Sequence, residues 1–150
     1  MANDLGTNSC RVMVADCNGH ILYRNSISTK LGEGMYSNMC FTDEAIERGV
    51  KAFLEYAEIL KKYNVGTYRA IATASCRMAK NGMDFVKKVE DTSGIKIEVI
   101  DGAEEAYLNI KGAILNADKN SKYVIVYDLG GGSTEISLAT NENNPKILHT

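Results

Sequence analysis

The sequence is poor in the residues that announce special chemistry: 150 residues hold one Pro, two His, no Trp and four Cys. Cys10, Cys17, Cys40 and Cys76 show no C-x-x-C spacing, and with only His20 and His149 beside them they make no structural-zinc pattern. They are expected as reduced thiols scattered through core and loops. No apolar run approaches the roughly 20 residues of a membrane span. Met1-Ala2-Asn3-Asp4 also lacks the charged-then-apolar layout of a signal peptide, so the expected location is the cytoplasm. Basic excess is missing too: 17 Lys plus Arg against 19 Asp plus Glu leave a net charge of -2, which speaks against binding duplex nucleic acid. What is present, 45% hydrophobic and 24% charged residues with 13 Gly, describes a globular chain long enough for one core, or for one domain and an appendage.

Periodicity divides the chain into strands and helices. Residues 9–16 mix polar and apolar side chains before Asn18-Gly19, a tight hairpin turn, so His20 to Lys30 returns antiparallel. Leu31 to Asn38 has no period and two glycines, and is expected as a loop near a ligand. From Thr42 onward Ile46, Val50, Phe53, Ala57 and Leu60 fall on one helical face. Thr42 suits the N-cap, Asp43 and Glu44 suit the positive end of the dipole, and Phe41 can staple onto Ile46. A strand over Tyr68 to Thr73, a helix from Asn81 or Asp84 to Asp91 and a strand over Ile95 to Ile100 follow. Strands alternating with helices imply parallel crossovers. Ala106, Ile110, Ala113, Ile114 and Ala117 then repeat at helical spacing, and Tyr123 to Tyr127 is expected as a buried strand. Glu135 to Ala139 alternates like a strand opening a second hairpin, and Lys146 to Thr150 starts a further one.

Two segments share a recipe: Asp4-Leu5-Gly6-Thr7-Asn8-Ser9 and Asp128-Leu129-Gly130-Gly131-Gly132-Ser133-Thr134. Each joins an acid, a small-residue turn and hydroxyls. Glycine lets backbone N–H groups approach phosphate oxygens, Ser and Thr donate further bonds, and an Asp such as Asp4 or Asp128 can hold Mg²⁺ directly or through water. Either loop alone is equally well a hairpin turn with a capping acid. Turn chemistry gives no reason for the recipe to occur twice, and two such loops facing each other would clamp a phosphate chain.

Paired D-x-G-[ST] and D-x-G-G-G-[ST] loops resemble those of the actin, Hsp70 and sugar-kinase superfamily. Ala72 to Asn81 resembles the A-T-x-A-x-R-x-A-x-N segment of the exopolyphosphatase and guanosine pentaphosphate phosphohydrolase (Ppx/GppA) family. Ile100 to Ala106 resembles its I-x-G-x-E-E-A segment, and Gly130 to Glu135 its second phosphate loop. The resemblance runs in order over essentially the whole chain. It implies an α/β fold, a ribonuclease-H-like (actin-like ATPase) lobe whose mixed sheet has antiparallel first hairpins, later parallel strands and helices on both faces. It implies lobe I over residues 1–121 and the start of lobe II over 122–150. It also implies release of terminal phosphate from inorganic polyphosphate, or of the 5'-γ-phosphate from guanosine pentaphosphate, with Mg²⁺ or a similar cation.

Carried over position by position, Glu105 matches the proposed catalytic base and Glu135 an acid that orders the water or the metal. Asp128 matches a divalent-cation position. Asn8, Ser9 and Arg11 fall on the first phosphate loop, Gly131, Gly132, Ser133 and Thr134 on the second, and Arg77 is an added phosphate cation. Local readings compete: acids such as Glu104 and Glu105 are favoured at any helix start by the dipole, and Arg77 suits a surface ion pair. His20 and His149 are poor catalytic candidates.

The chain departs from the family pattern at both ends. Only Met1-Ala2-Asn3 precede Asp4, so almost no strand is expected before the first loop, and the sequence stops at Thr150, a hairpin into the second lobe. A fragment is therefore expected, and unpaired edges make strand exchange into a homodimer another expectation. The rivals are an ATP-dependent kinase or ATPase of the same superfamily, against which the A-T-x-A-x-R and G-x-E-E-A segments speak, and a phosphate or alarmone sensor that binds without hydrolysis.

Overall fold

Three residues ahead of Asp4 prove enough for a strand. In the computed structural model of the protein, which describes residues 1–150, β1 (Ala2–Leu5) pairs antiparallel with β2 (Ser9–Ala15) and parallel with β4 (Arg69–Ala72). The sequence-based expectation of a nearly absent strand is thus corrected. A short strand survives when neighbours on both sides satisfy its backbone. β2 turns through Cys17 and Asn18, closed by the Gly19 N–H on the Asp16 carbonyl at 3.1 Å with Gly19 alone at positive φ (+86°), which corrects the expected Asn18-Gly19 pair. The turn leads into antiparallel β3 (Ile21–Ser28), and β5 (Ile97–Val99) lies parallel to β4, giving the order β3-β2-β1-β4-β5. An antiparallel meander followed by parallel strands is the sheet of a ribonuclease-H-like lobe.

The helices of this part follow from capping and burial. Thr42 Oγ1 accepts the Ala45 N–H at 3.2 Å and opens α1 (Asp43–Lys62), with Asp43 and Glu44 in its first turn and Lys61 and Lys62 in its last. Its deepest residues are Ala45, Ala52, Phe53 and Tyr56, while the anticipated Ile46, Val50 and Leu60 flank them half-buried. The apolar stripe is wider than the sequence pattern, because small side chains carry the closest approach. After β4 comes a short helix the periodicity did not show, α2 (Ala74–Met78), and then α3 (Gly82–Ser93). α1 and α3 pack together over the sheet face made by Leu5, Cys10 and Val12, with Phe41 edge-on to Phe85.

The second part is built on α4 (Gly102–Ile114) and an antiparallel sheet of β6 (Tyr123–Leu129), β7 (Thr134–Thr140) and β8 (Ile147–His149). Ile110 and Ile114 bury Ala139, against which Val124, Val126 and Ile147 pack. β6 is not the buried strand expected: Tyr123, Ile125, Tyr127 and Leu129 are 58% to 74% exposed. Only its alternate residues face α4. The chain divides into two compact units, 1–99 and 100–150, so α4 groups with the second sheet, whereas the sequence reading divides the chain at 121/122. No helix is long and apolar enough to cross a membrane.

Candidate functional site

Both glycine-containing segments form the same turn. Gly6 N–H donates to the Ser9 carbonyl at 3.0 Å, and Gly130 N–H donates to the Ser133 carbonyl at 2.9 Å. Leu5 pairs with Cys10 below the first turn and Leu129 with Thr134 below the second. The next pairs outward are Asp4 opposite Arg11 and Asp128 opposite Glu135. In each turn the two central N–H groups, of Thr7 and Asn8 and of Gly131 and Gly132, donate to no acceptor within their own unit. Consecutive N–H groups without a protein acceptor are the material of an anion-binding concavity.

In unit 1 the first turn sits on a braced hairpin. Arg11 lies across from Asp4 with 3.6 Å between guanidinium and carboxylate, the first largely and the second partly open to solvent. Beneath them Tyr56 donates to the Cys10 carbonyl at 2.7 Å, and buried Asn3 donates to the Arg11 carbonyl at 2.8 Å. Thr73 N–H reaches the Leu5 carbonyl at 3.3 Å, so the segment leading into α2 starts at the same end of the sheet as the turn. That end holds the carboxyl termini of parallel strands, where open α/β sheets bind ligands. Exposed Arg77 closes α2. Its segment is pinned by Asn81, whose Oδ1 accepts the Phe41 N–H at 2.8 Å while its Nδ2 donates to the Phe41 carbonyl at 3.0 Å. Burial pushes the Cys10 and Cys76 thiols up to about 12, which removes both as nucleophiles at neutral pH.

In unit 2 the carboxylates lie at the start of α4 and on the β6/β7 hairpin. Asp101 caps that helix by accepting the Glu104 N–H at 2.8 Å, which places Glu104 and Glu105 in the first turn. Asn109, one turn after Glu105 on the same side, donates from Nδ2 to Asp128 Oδ2. Asp128 faces Glu135 across the β6/β7 ladder, and Glu135 Oε2 is buried without a hydrogen-bond partner. Ser133 and Thr134 complete the turn between them. Thus Glu105, Asp128, Glu135 and the second turn belong to one end of one small unit. Nothing in the residue pattern pointed to Asn109, although its i+4 spacing from Glu105 is the signal that finds it. Tyr56, Asn3 and Asn81 were missed as supports because they act through backbone carbonyls and amides.

Two oxygen donors on one face, one of them buried and unpartnered, suit a hard divalent cation. No group of three or more His, Cys, Asp or Glu side chains is arranged to hold a metal alone. Mg²⁺ commonly binds through one or two carboxylates and completes its shell with phosphate and water.

The sheet order and the paired turns define an α/β protein of the actin-like ATPase class. A model of the Ppx/GppA phosphatase family matches residues 12–148, and the chain belongs to that family. It is 39% identical over 97% of its length to a bifunctional 3-dehydroquinate synthase/phosphatase of Fusobacterium nucleatum, covering 24% of that protein. Over 94% of its length it is 36% identical to exopolyphosphatase 2 of Mycobacterium tuberculosis, covering 48% of it. The crystal structure of an exopolyphosphatase from Cytophaga hutchinsonii superposes with a TM-score of 0.88 at 27% identity, over 99% of this chain and 47% of that one. The chain therefore spans between a quarter and about half the length of these relatives.

Proposed function

We propose that the protein hydrolyses terminal phosphoric anhydride bonds, taking inorganic polyphosphate or the 5'-γ-phosphate of guanosine pentaphosphate as substrate. The observation that carries the reading is the set of carboxylates in unit 2: Glu105 one turn before the Asn109 that holds Asp128, in the unit whose turn has two N–H groups with no protein acceptor. In the reaction, water attacks the terminal phosphorus, its proton passes to the Glu105 carboxylate, and the bond to the bridging oxygen breaks with its electrons staying on the shortened chain. Proton abstraction by a positioned carboxylate contributes about 10²–10⁴-fold. Gly131 and Gly132 N–H groups, with the Ser133 and Thr134 hydroxyls, hold phosphate oxygens. On unit 1, Asn8, Ser9, Arg11 and Arg77 offer donors and positive charge of the kind that suits a polyanion. A divalent cation such as Mg²⁺, held by Asp128 and Glu135, supplies charge neutralisation when bound. Asp4 stands on β1 before the first turn, at the position equivalent to Asp128, and its Arg11 partner leaves it the weaker cation ligand.

The test is phosphate release from long-chain polyphosphate, guanosine pentaphosphate and ATP with Mg²⁺, measured on the protein and on Glu105→Gln. Release from one of the first two, falling on the order of 100-fold or more in the variant with ligand affinity unchanged, is expected. Equal turnover in both proteins removes Glu105 as the base. Faster turnover of ATP than of polyphosphate makes the protein an ATPase or kinase instead.

A further inference from the structure

The glycine-rich loop after β3 has no role in the chemistry above, yet it lies against the back of the first turn. Lys30 N–H donates to the Asn8 carbonyl at 2.8 Å, and Gly32 N–H donates to the Thr7 carbonyl at 2.9 Å. The approach is close enough that a Cβ on Gly32 would fall 2.3 Å from Thr7 Cγ2. The loop is itself held from α1. Arg48 Nε donates to the Thr29 carbonyl at 2.8 Å, and its Nη2 reaches the Lys30 carbonyl at 3.2 Å and Glu33 Oε2 at 2.7 Å. Between those two carbonyls Lys30 sits at φ +44°, a left-handed conformation that is unfavourable for a non-glycine residue. Such backbone persists only where its surroundings enforce it, and the Arg48 fork bonds on both sides of it.

The peptide plane carries this restraint to the turn. In a trans peptide the carbonyl of one residue and the N–H of the next point in opposite directions. Holding the Thr7 carbonyl against Gly32 therefore aims the Asn8 N–H away from the loop, on the side where it has no protein acceptor.

We propose that Arg48 is a positioning residue for the first phosphate turn: it fixes the 29–33 loop, and that loop sets the direction of the Asn8 N–H. The proposal rests on the reading that this turn binds phosphate. A planar guanidinium makes three bonds at once in one geometry, which a lysine ammonium does not reproduce. The gain is preorganisation, since the turn does not have to be ordered when the anion arrives.

The probe is inorganic tripolyphosphate, titrated with Mg²⁺ into ¹⁵N-labelled protein while the Thr7, Asn8, Gly131 and Gly132 amides are followed. In the unaltered protein the Asn8 amide shifts with added anion; an unmoved Asn8 amide refutes the phosphate reading of the turn, and the role of Arg48 goes with it. Arg48→Met is expected to weaken binding at the Asn8 amide about tenfold, and Arg48→Lys to fall between the two. Val89→Ala, which opens a cavity at a fully buried position on α3, is the control for lost stability. It is expected to bind tripolyphosphate as the unaltered protein does at a temperature where both are folded. Binding by Arg48→Met at unaltered strength, with a responsive Asn8 amide, overturns the positioning role alone. Equal weakening in Val89→Ala and Arg48→Met overturns it too, because stability would then account for the effect. Should Arg48→Met not fold, Arg48→Lys decides: about threefold weaker binding supports the role, and unchanged binding overturns it.

Discussion

Asn81→Ala tests how the Arg77 segment is held. The amide of Asn81 treats Phe41 as a neighbouring strand would, accepting its N–H at 2.8 Å and donating to its carbonyl at 3.0 Å. Lys80 N–H adds a bond to the Met39 carbonyl at 2.8 Å, so residues 80–81 and 39–41 form a short bridge. Phe41 is only 4% exposed, and water does not readily replace the lost partners. Each bond is worth about 1 kcal/mol net, and a buried group left unpaired costs about 1–3 kcal/mol. With both Phe41 groups left unpaired, Asn81→Ala is expected to cost about 2–6 kcal/mol, or a fall in Tm of at least about 10 °C for a unit of this size. Urea unfolding followed by circular dichroism gives the stability change, with the slope expected to stay constant. Hydrogen exchange gives the location: the Phe41 amide, protected before, exchanges fast in the variant while the amides of α1 keep their order of protection. A loss under about 1 kcal/mol, or a Phe41 amide that remains protected, would refute the reasoning.

Other outcomes follow from the same contacts. Gly82→Ala places a Cβ 2.2 Å from the Cys76 carbonyl oxygen, a backbone atom that cannot step aside, and is expected to lower stability by about 2–4 kcal/mol in urea unfolding. The Cys10 and Cys76 thiols are raised from 9.0 to about 12 by burial, so their contribution is whole below pH 9 and is lost as pH climbs toward 12. The urea midpoint is expected to drop across that window, and to drop less in Cys76→Ala; an equal drop in both would remove the thiol as the cause. At pH 8 iodoacetamide is expected to modify exposed Cys17 and to reach Cys10 and Cys76 only after unfolding, which mass spectrometry of digested protein checks.

The elements that local chemistry specifies were the ones legible in the sequence. Thr42 as cap, the meander and the helix over residues 43–62 stand where the pattern put them, the β2/β3 hairpin turns one residue earlier than Asn18-Gly19, and α4 ends at Ile114 rather than running through Ala117. The misses are of two kinds. α2 is five residues long, too short for any helical period to register, and β1 is a strand only because two partners flank it. β6 was read as buried from its run of Tyr, Val and Ile, since composition does not distinguish a strand covered on both faces from one covered on a single face by α4. The site divides in the same way. Asp, Gly and Ser in a repeated order are visible in one dimension, whereas Asn109 against Asp128, or Arg48 against the 29–33 loop, comes from pairing residues 19 apart in both cases.

The two turns share a backbone and differ in the charge beside it, and that difference assigns them separate tasks under the proposed function. The residue two places past the turn serine is Arg11 in the first and Glu135 in the second, each opposite its aspartate. Asp4 with Arg11 is a self-neutralised pair; it leaves the first turn free to offer N–H groups and guanidinium hydrogens to a polyanion at little electrostatic cost. Asp128 with Glu135 is the reverse. Like charges directly opposite on a sheet are destabilising, Asn109 satisfies one oxygen of the pair, and Glu135 Oε2 stays buried and unpartnered. Under the proposed function a divalent cation would make that arrangement favourable beside a phosphate, because it offsets both carboxylates and the incoming anion. On the proposed function one motif would thus serve twice, as an anion cradle where the opposing residue is basic and as a cation-dependent one where it is acidic.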